Sequence, residues 1–350
     1  MTGTIRVRTV LSTGAVIALS SLGVGLPASD ADGGSELAET PVGAVVVAVA
    51  PEVFEDVATD VSVSESEARV EAVAVDPMTQ QEFAEGSATL HAEEVAIELT
   101  GLVGDTFTAE ILTVADDPAI ITDDGALVVE ASPGIEVLVI VKEDASVQIV
   151  ASIESSDASE RIPLDLGDGE AVDIVVDVDG LATVRDPQGA FLGFVAPPWA
   201  LDAEGRSVPT HFEVDGTMLV QVVNHAAGDF TYPIVADPYL GKNLFQGFTY
   251  SVTLRKHSFS KSVFGQSIHR PTNYGIFLNQ GWAEFQARNL GQSRVNVSVR
   301  QQYDCHAAGG YFDLAGVTWD LEYDRPARTL GNWFFGSAIH RCNWNTANRY

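Results

Sequence analysis

The sequence predicts an α+β fold: a mainly antiparallel β N-terminal region, followed by a small disulfide-closed α+β C-terminal domain. Three observations predict it. Apolar and polar residues alternate with period two through much of the first 241 residues, the spacing of half-buried strands. Turn dipeptides punctuate those runs. The last 109 residues then change composition, with 19 aromatic residues against 10 before them and both cysteines of the chain. At 350 residues there is room for two or three domains.

Charge and composition exclude several classes. With 49 acidic and 19 basic residues the net charge is −30, so the chain as a whole is not a nucleic-acid or anionic-membrane binder. A hydrophobic content of 46% is too high for general disorder. Two cysteines exclude a disulfide-dense scaffold and a cysteine-rich zinc domain.

Residues 1–31 read as a signal peptide. Arg6 and Arg8 supply a positive start, Val10 to Leu26 is apolar and free of acids, and Pro27 to Ala31 offers small-residue cleavage sites. The apolar run is shorter than the ~20 residues of a membrane span and is broken by Ser and Gly. A secreted, extracellular mature chain without a transmembrane segment is therefore expected. Residues 32–43, rich in Gly, Ser, Asp and Glu, read as a linker.

Residues 44–238 read as an acidic β-rich pro-region or stalk. Val61-Ser62-Val63-Ser64 and Arg69 to Val75 alternate, whereas Val137 to Val141 is apolar on both phases, as in a strand buried on both faces. Asp124-Gly125, Pro133-Gly134, Asp168-Gly169, Asp179-Gly180, Asp186-Pro187 and Asp215-Gly216 mark the turns. Asp177-Val178-Asp179-Gly180 is read as one of these turns and not as a calcium loop, because no Glu follows at the required position. Pro233 and Pro238 lack amide hydrogens for a ladder, which predicts an edge strand there. A second linker is expected at 239–247.

Residues 248–350 form the expected C-terminal domain. Phe248 to Lys256 and Phe259 to Ile268 read as a hairpin. Helices are expected over Gly281 to Asn289, Ser298 to Ala308 with Ser298 as cap, and Pro326 to Arg341. The charge split is sharp: residues 1–241 carry 7 basic and 43 acidic side chains, net −36, and residues 242–350 carry 12 and 6, net +6.

Two stretches resemble known proteins. Pro198 to Gly205, Val208 to Val214, Leu219 to Val223 and Tyr232 to Pro238 resemble a module of secreted actinobacterial precursors, in which Tyr-Pro-x-Val-Ala-Asp-Pro closes an N-terminal β region. The resemblance implies a pro-region or stalk. Asp304-Cys305-His306, Thr318 to Glu322, Asp324-Arg325-Pro326 and His340 to Asn343 resemble a domain-of-unknown-function family of secreted actinobacterial proteins, with its Cys-His, Trp-x-Leu-Glu, Arg-Pro and Cys-Asn elements. Asp320 stands where that family has Asn, and Tyr323-Asp324 where it has Pro-Trp. The family implies no activity.

Candidate chemistry gathers near the C-terminus. In an exported chain Cys305 and Cys342 read as a disulfide. The competing zinc site from Cys305, His306, His340 and Cys342 lacks the usual two-residue spacers, so no metal and no cofactor is expected. A bridge would bring His306 and His340 together. With Asp304, Glu322 and Arg325 they would suit acid–base hydrolysis of a phosphodiester or glycoside. The competing reading is a structural histidine and an Arg325 salt bridge with Glu322 or Asp324. Arg255, Lys256, Lys261 and Arg270, interleaved with aromatic residues, read as an anion-binding set.

The leading reading is a monomeric binding or toxin-like effector module for an anionic polymer or envelope component. In it the acidic region masks the basic one by intramolecular contact, within about a Debye length of ~8 Å, and delivers it. A secreted hydrolase and a non-catalytic cell-surface protein are the alternatives, and the balance is against an enzyme.

Overall fold

The computed structural model describes residues 36–76, 80–113, 118–167, 169–288, 290–309, 318–328 and 342. The fold is α+β, built mainly from antiparallel strands. One sheet runs in the order Ser62–Val63, Glu67–Val75, Glu82–His91, Ala96–Thr100, Phe107–Ile111, Arg161–Asp165, Met218–Val223, Thr210–Asp215. The second runs Asp173–Val176, Ala182–Arg185, Phe191–Val195, Tyr239–Gly241, Val147–Ile153, Ile135–Val141, Leu127–Ser132, Ile120–Ile121. Trp199–Leu201 and Ile234–Asp237 pair beside it.

The two sheets enclose one apolar core. Val70, Leu90, Ile97 and Phe107 come from the first, and Val137, Val139, Val147 and Ile149 from the second. The opposite face of the second sheet is covered too. Leu138, Ile140, Val150 and Val235 pack with Leu37, Val42, Val46, Ala50 and Val53. That third layer explains why Val137 to Val141 is apolar on both phases: odd positions face the sandwich core, even ones the helix Pro41–Val49.

That helix corrects the expected linker at 32–43 and the expected β start at 44. Thr40 caps it, its Oγ1 accepting from Gly43 N at 3.0 Å, and Pro41 opens the first turn. Val42 and Val46, four apart, then face the sheet. Burial overrides the β preference of a valine-rich run.

The expected turns at Asp124-Gly125, Pro133-Gly134, Asp179-Gly180, Asp186-Pro187 and Asp215-Gly216 form, and Asp168 lies outside the described residues. Asp177, Asp186 and Asp202 each begin an Asp-x-x-Gly loop in which the carboxylate accepts the amides two and four residues on: Asp179 and Leu181 at 2.9 and 3.0 Å, Gln188 and Ala190 at 2.9 and 2.7 Å, Glu204 and Arg206 at 3.1 and 2.8 Å. The glycine takes the left-handed backbone, φ 91° at Gly180. Part of the acidic content is thus turn chemistry.

The expected edge strand and linker are corrected. Ile234–Asp237 is buried and paired on both sides, with Trp199–Leu201 and with Val147–Ile153. Pro233 and Pro238 lie just outside it, so neither removes a ladder hydrogen bond. Residues 239–247 hold no exposed linker: Tyr239–Gly241 is a buried strand between Phe191–Val195 and Val147–Ile153, and Phe245 begins the next strand. The aromatic C-terminal core of Phe245, Phe259, Phe264, Tyr303 and Trp319 is continuous with Leu181, Phe191, Phe194 and Tyr239. Residues 35–350 form one compact unit, so no boundary separates acidic from basic parts near 240.

The C-terminal part has a sheet of Phe245–Ser251, Lys256–Lys261 and Thr318–Glu322. The expected hairpin is present with shifted bounds, because Val263–Ile268 is a helix. Ser262 Oγ accepts from Gly265 N at 2.8 Å, and Asp144 Oδ2 accepts from Phe264 N at 2.9 Å. The expected helix at 281–289 is Trp282–Ala287, preceded by a π-helical turn, and that at 298–308 is Val297–Gly309. Asn296 replaces Ser298 as its cap, with Oδ1 accepting from Val299 N at 3.0 Å. Residues 326–328 are not helical, and the rest of the third expected helix lies outside the described residues.

Gly241 allows the helix Val263–Ile268 to dock. A Cβ there would lie 2.1 Å from Phe264 Cγ. Gly241→Ala is expected to destabilise the chain by about 1–3 kcal/mol through overpacking, read as a lower Tm. An unchanged Tm would show that the ring moves aside freely.

Candidate functional site

Of the predicted C-terminal site, His306, Glu322, Arg325 and Asp304 are described, and each is engaged by neighbours within the protein. His306 lies on the helix Val297–Gly309, is buried, and stacks on Trp319 with centroids 5.2 Å apart and planes at 18°. Glu322, at the end of its strand, holds Arg325 in a fork: Arg325 Nε and Nη2 donate to its two oxygens at 2.6 and 2.7 Å. Asp304 accepts from Arg300 Nε at 2.7 Å. Gln302 fixes the Glu322 backbone, accepting from its amide and donating to its carbonyl, both at 2.9 Å. Both oxygens of the Glu322 carboxylate are thus engaged by one guanidinium. His340 lies outside the described residues.

Cys305 and Cys342 form the expected disulfide, with Cα atoms 5.4 Å apart. Their sulfurs are bonded to each other, which leaves no thiolate for zinc.

The anion-binding candidates are not gathered. Arg255 and Lys256 sit at the hairpin turn, where Arg255 pairs with Asp324 at 3.2 Å and Lys256 with Asp320 at 2.7 Å. Lys261, at the far end of the same strand, is buried. Arg270 follows the helix Val263–Ile268 and is exposed. Contact between acidic and basic parts does exist: Arg288 Nε lies 3.8 Å from Glu85 Oε1.

Arg270 instead borders a cleft of about 390 Å³ between the second sheet, the 3₁₀ turn Pro51–Phe54 and the helix Val263–Ile268. Its floor is a buried polar network. Lys142 Nζ donates to the carbonyls of Val53 and, at 2.7 Å, Glu55. Burial pushes its ammonium down to about 8, against the pull of Asp56, Asp144, Asp237 and Glu55. Asp237 is 2% exposed and accepts from Gln148 Nε2. Its burial pushes the carboxyl well above the usual range despite hydrogen bonds from Gln148 and Trp199. Tyr239 Oη and Ser146 Oγ share a hydrogen bond of 2.7 Å, and Ser146 Oγ donates to Asp144. Asp144 then reaches the helix at Phe264 N.

The network's groups find partners within the protein, so it shapes the floor. The groups that present themselves to an occupant are the exposed Glu52, Glu55 and Asp56, the exposed Arg270 and the half-buried Trp199. Such a cleft suits binding: charges of both signs orient a ligand and an indole supplies an apolar face.

Of this cleft the sequence reading picked out Arg270 alone. A signal for others was present. Lys142 is the one lysine in the first 241 residues and directly follows the apolar run Val137–Val141. Gln148 interrupts an otherwise small and apolar strand, and Asp237 ends another. A polar residue in a buried strand must find partners. No protein-family model, no curated protein and no solved structure matches the chain. The site therefore rests on its own geometry.

Proposed function

We propose that this chain is an exported, non-catalytic envelope protein that binds a small zwitterionic, hydroxyl-bearing ligand in the cleft beside Arg270. The carrying observation is that Glu52, Glu55 and Asp56 line one cleft together with Arg270, Lys142 and Asp237. A ligand with an amine and a carboxylate would satisfy charges of both signs, and the face of a sugar ring would lie on Trp199. About 390 Å³ is the size of small-ligand pockets. Export is supported by the apolar N-terminal run and by the disulfide. Among the described residues no helix is long and apolar enough to cross a membrane. The forked Glu322–Arg325 pair and the stacked His306 count against the hydrolase reading.

Muramic acid, which carries an amine and a carboxylate on one sugar ring, is the direct probe. Titration calorimetry is expected to show binding that Arg270→Ala weakens about tenfold, the worth of one charge-assisted hydrogen bond. Glu322→Gln is expected to leave it unchanged. Binding that ignores Arg270→Ala but follows Glu322→Gln would move the site to the C-terminal sheet and sink the proposal.

A further inference from the structure

The turn of the C-terminal hairpin breaks the rule that loop tips are polar. Between the strands Phe245–Ser251 and Lys256–Lys261 the turn reads Val252-Thr253-Leu254-Arg255, with Val252 66% and Leu254 64% exposed. A third aliphatic side chain, Val297, is 64% exposed at the start of the helix Val297–Gly309. Tyr323 binds these elements into one surface. Its hydroxyl donates to Val252 O at 3.2 Å, its amide to Arg255 O at 3.1 Å, and its carbonyl accepts from Asn296 Nδ2 at 2.8 Å. The Arg294 guanidinium lies over its ring, 5.8 Å from the centroid. Tyr323 thus links the turn that carries Val252 and Leu254 to Asn296, the residue before Val297, with Arg294 over its ring.

We infer that this tip is a docking surface for an anionic lipid membrane. The tip combines the side chains that a bilayer interface takes: exposed aliphatic groups, half-buried tyrosines and exposed guanidinium groups. The apolar atoms sit on a turn and not in a groove, which suits shallow insertion into lipid better than a protein partner's side chain. Charge complementarity is local. Arg294 is exposed and has no carboxylate partner among the described residues, while Arg255 keeps only the exposed Asp324 at 3.2 Å. Lys256, just behind, is paired with Asp320. The tip belongs to the part of the chain with net +6. The −30 of the whole chain acts weakly beyond ~8 Å at physiological salt, so contact groups decide the encounter.

The compact unit of residues 35–350 is the right material, since it omits the apolar run of residues 10–26. It is sedimented with vesicles of pure phosphatidylcholine and with vesicles containing one part in four of phosphatidylglycerol. Binding is expected on the anionic vesicles, falling as salt is raised. The double variant Val252→Ser with Leu254→Ser is expected to bind about tenfold more weakly, at an unchanged Tm because both side chains are exposed. Arg294→Gln is expected to reduce the preference for phosphatidylglycerol. Failure to sediment with either vesicle would overturn the inference and leave the patch to a protein partner. Equal binding by the double variant would overturn it as well. Neither result bears on the cleft, whose muramic acid titration needs no lipid.

Discussion

Replacing Cys305 and Cys342 together by alanine is expected to lower stability by about 4 kcal/mol, the loop-closure entropy of a bridge between residues 37 apart in sequence. Both cysteines are buried, at 3% and 7% exposure, so the lost sulfur packing adds to the entropy. The effect reaches the aromatic core, because Cys305 shares its helix with Tyr303 and His306, and both rings lie against Trp319. Thermal unfolding of the double variant, and of the native chain with and without reductant, measures it. If reduction left Tm unchanged, the bridge would contribute nothing to the folded state.

Glu284 carries the second large effect. It is fully buried on the helix Trp282–Ala287, and its carboxylate accepts from Leu244 N at 2.9 and 3.1 Å and from Phe245 N at 3.1 Å. Glu284→Ala leaves those amides without an acceptor in an apolar setting and is expected to cost about 3 kcal/mol or more. The pH dependence follows from the same burial, which pushes this carboxyl up from 4.5 to about 8. The two backbone amides pull it down, the neighbouring Glu85 raises it and Lys242 lowers it. The folded state therefore holds this proton more tightly than the unfolded chain does. Its stabilising contribution is complete below about pH 4.5 and is lost as pH rises through about 8. Tm should fall across that window. Glu284→Gln, which keeps an acceptor oxygen and cannot ionise, should flatten the profile. Parallel profiles for the native chain and Glu284→Gln would show that the fall has another origin. Glu85 is also raised by burial and adds to the same slope. Lys242, pushed down to about 8 by burial, contributes above that pH and with the opposite sign.

Glu284 and Glu85 also show why the expected linker at 239–247 is no linker. Glu85, from the first sheet, accepts from Gly247 N and Phe248 N at 2.8 and 3.1 Å, while Glu284 holds Leu244 and Phe245. Asn243 adds a bond from Leu102 N to its Oδ1 at 2.9 Å and one from its Nδ2 to Glu85 O at 2.8 Å. The segment between the acidic and basic parts is thus pinned from both sides by groups 39 to 163 positions away. Nothing within residues 239–247 announces those partners.

The turns were readable from neighbouring residues alone, because an Asp carboxylate and the amides it satisfies lie within four positions, as at Asp177 and Asp186. The apolar run Val137–Val141 correctly announced a strand covered on both faces. The pairing of Cys305 with Cys342 followed from count and compartment. The helix Pro41–Val49 carried its cap and its proline in plain view, yet its valines read as strand, since the layer that favours a helix there is supplied by residues about a hundred positions on.

What the sequence by itself determined is therefore local or compositional: the α+β class, the turns, the disulfide and the steep change in charge and aromatic content. Only the tertiary structure decided that the chain from residue 35 is one unit, that Glu322 is tied to Arg325, and that Lys142, Asp237, Trp199 and Arg270 meet around one cleft. The physical reason is range. Caps, turns and periodicity act over a few residues, whereas the burial of a charge, and with it any site, depends on strands brought together from distant parts of the chain.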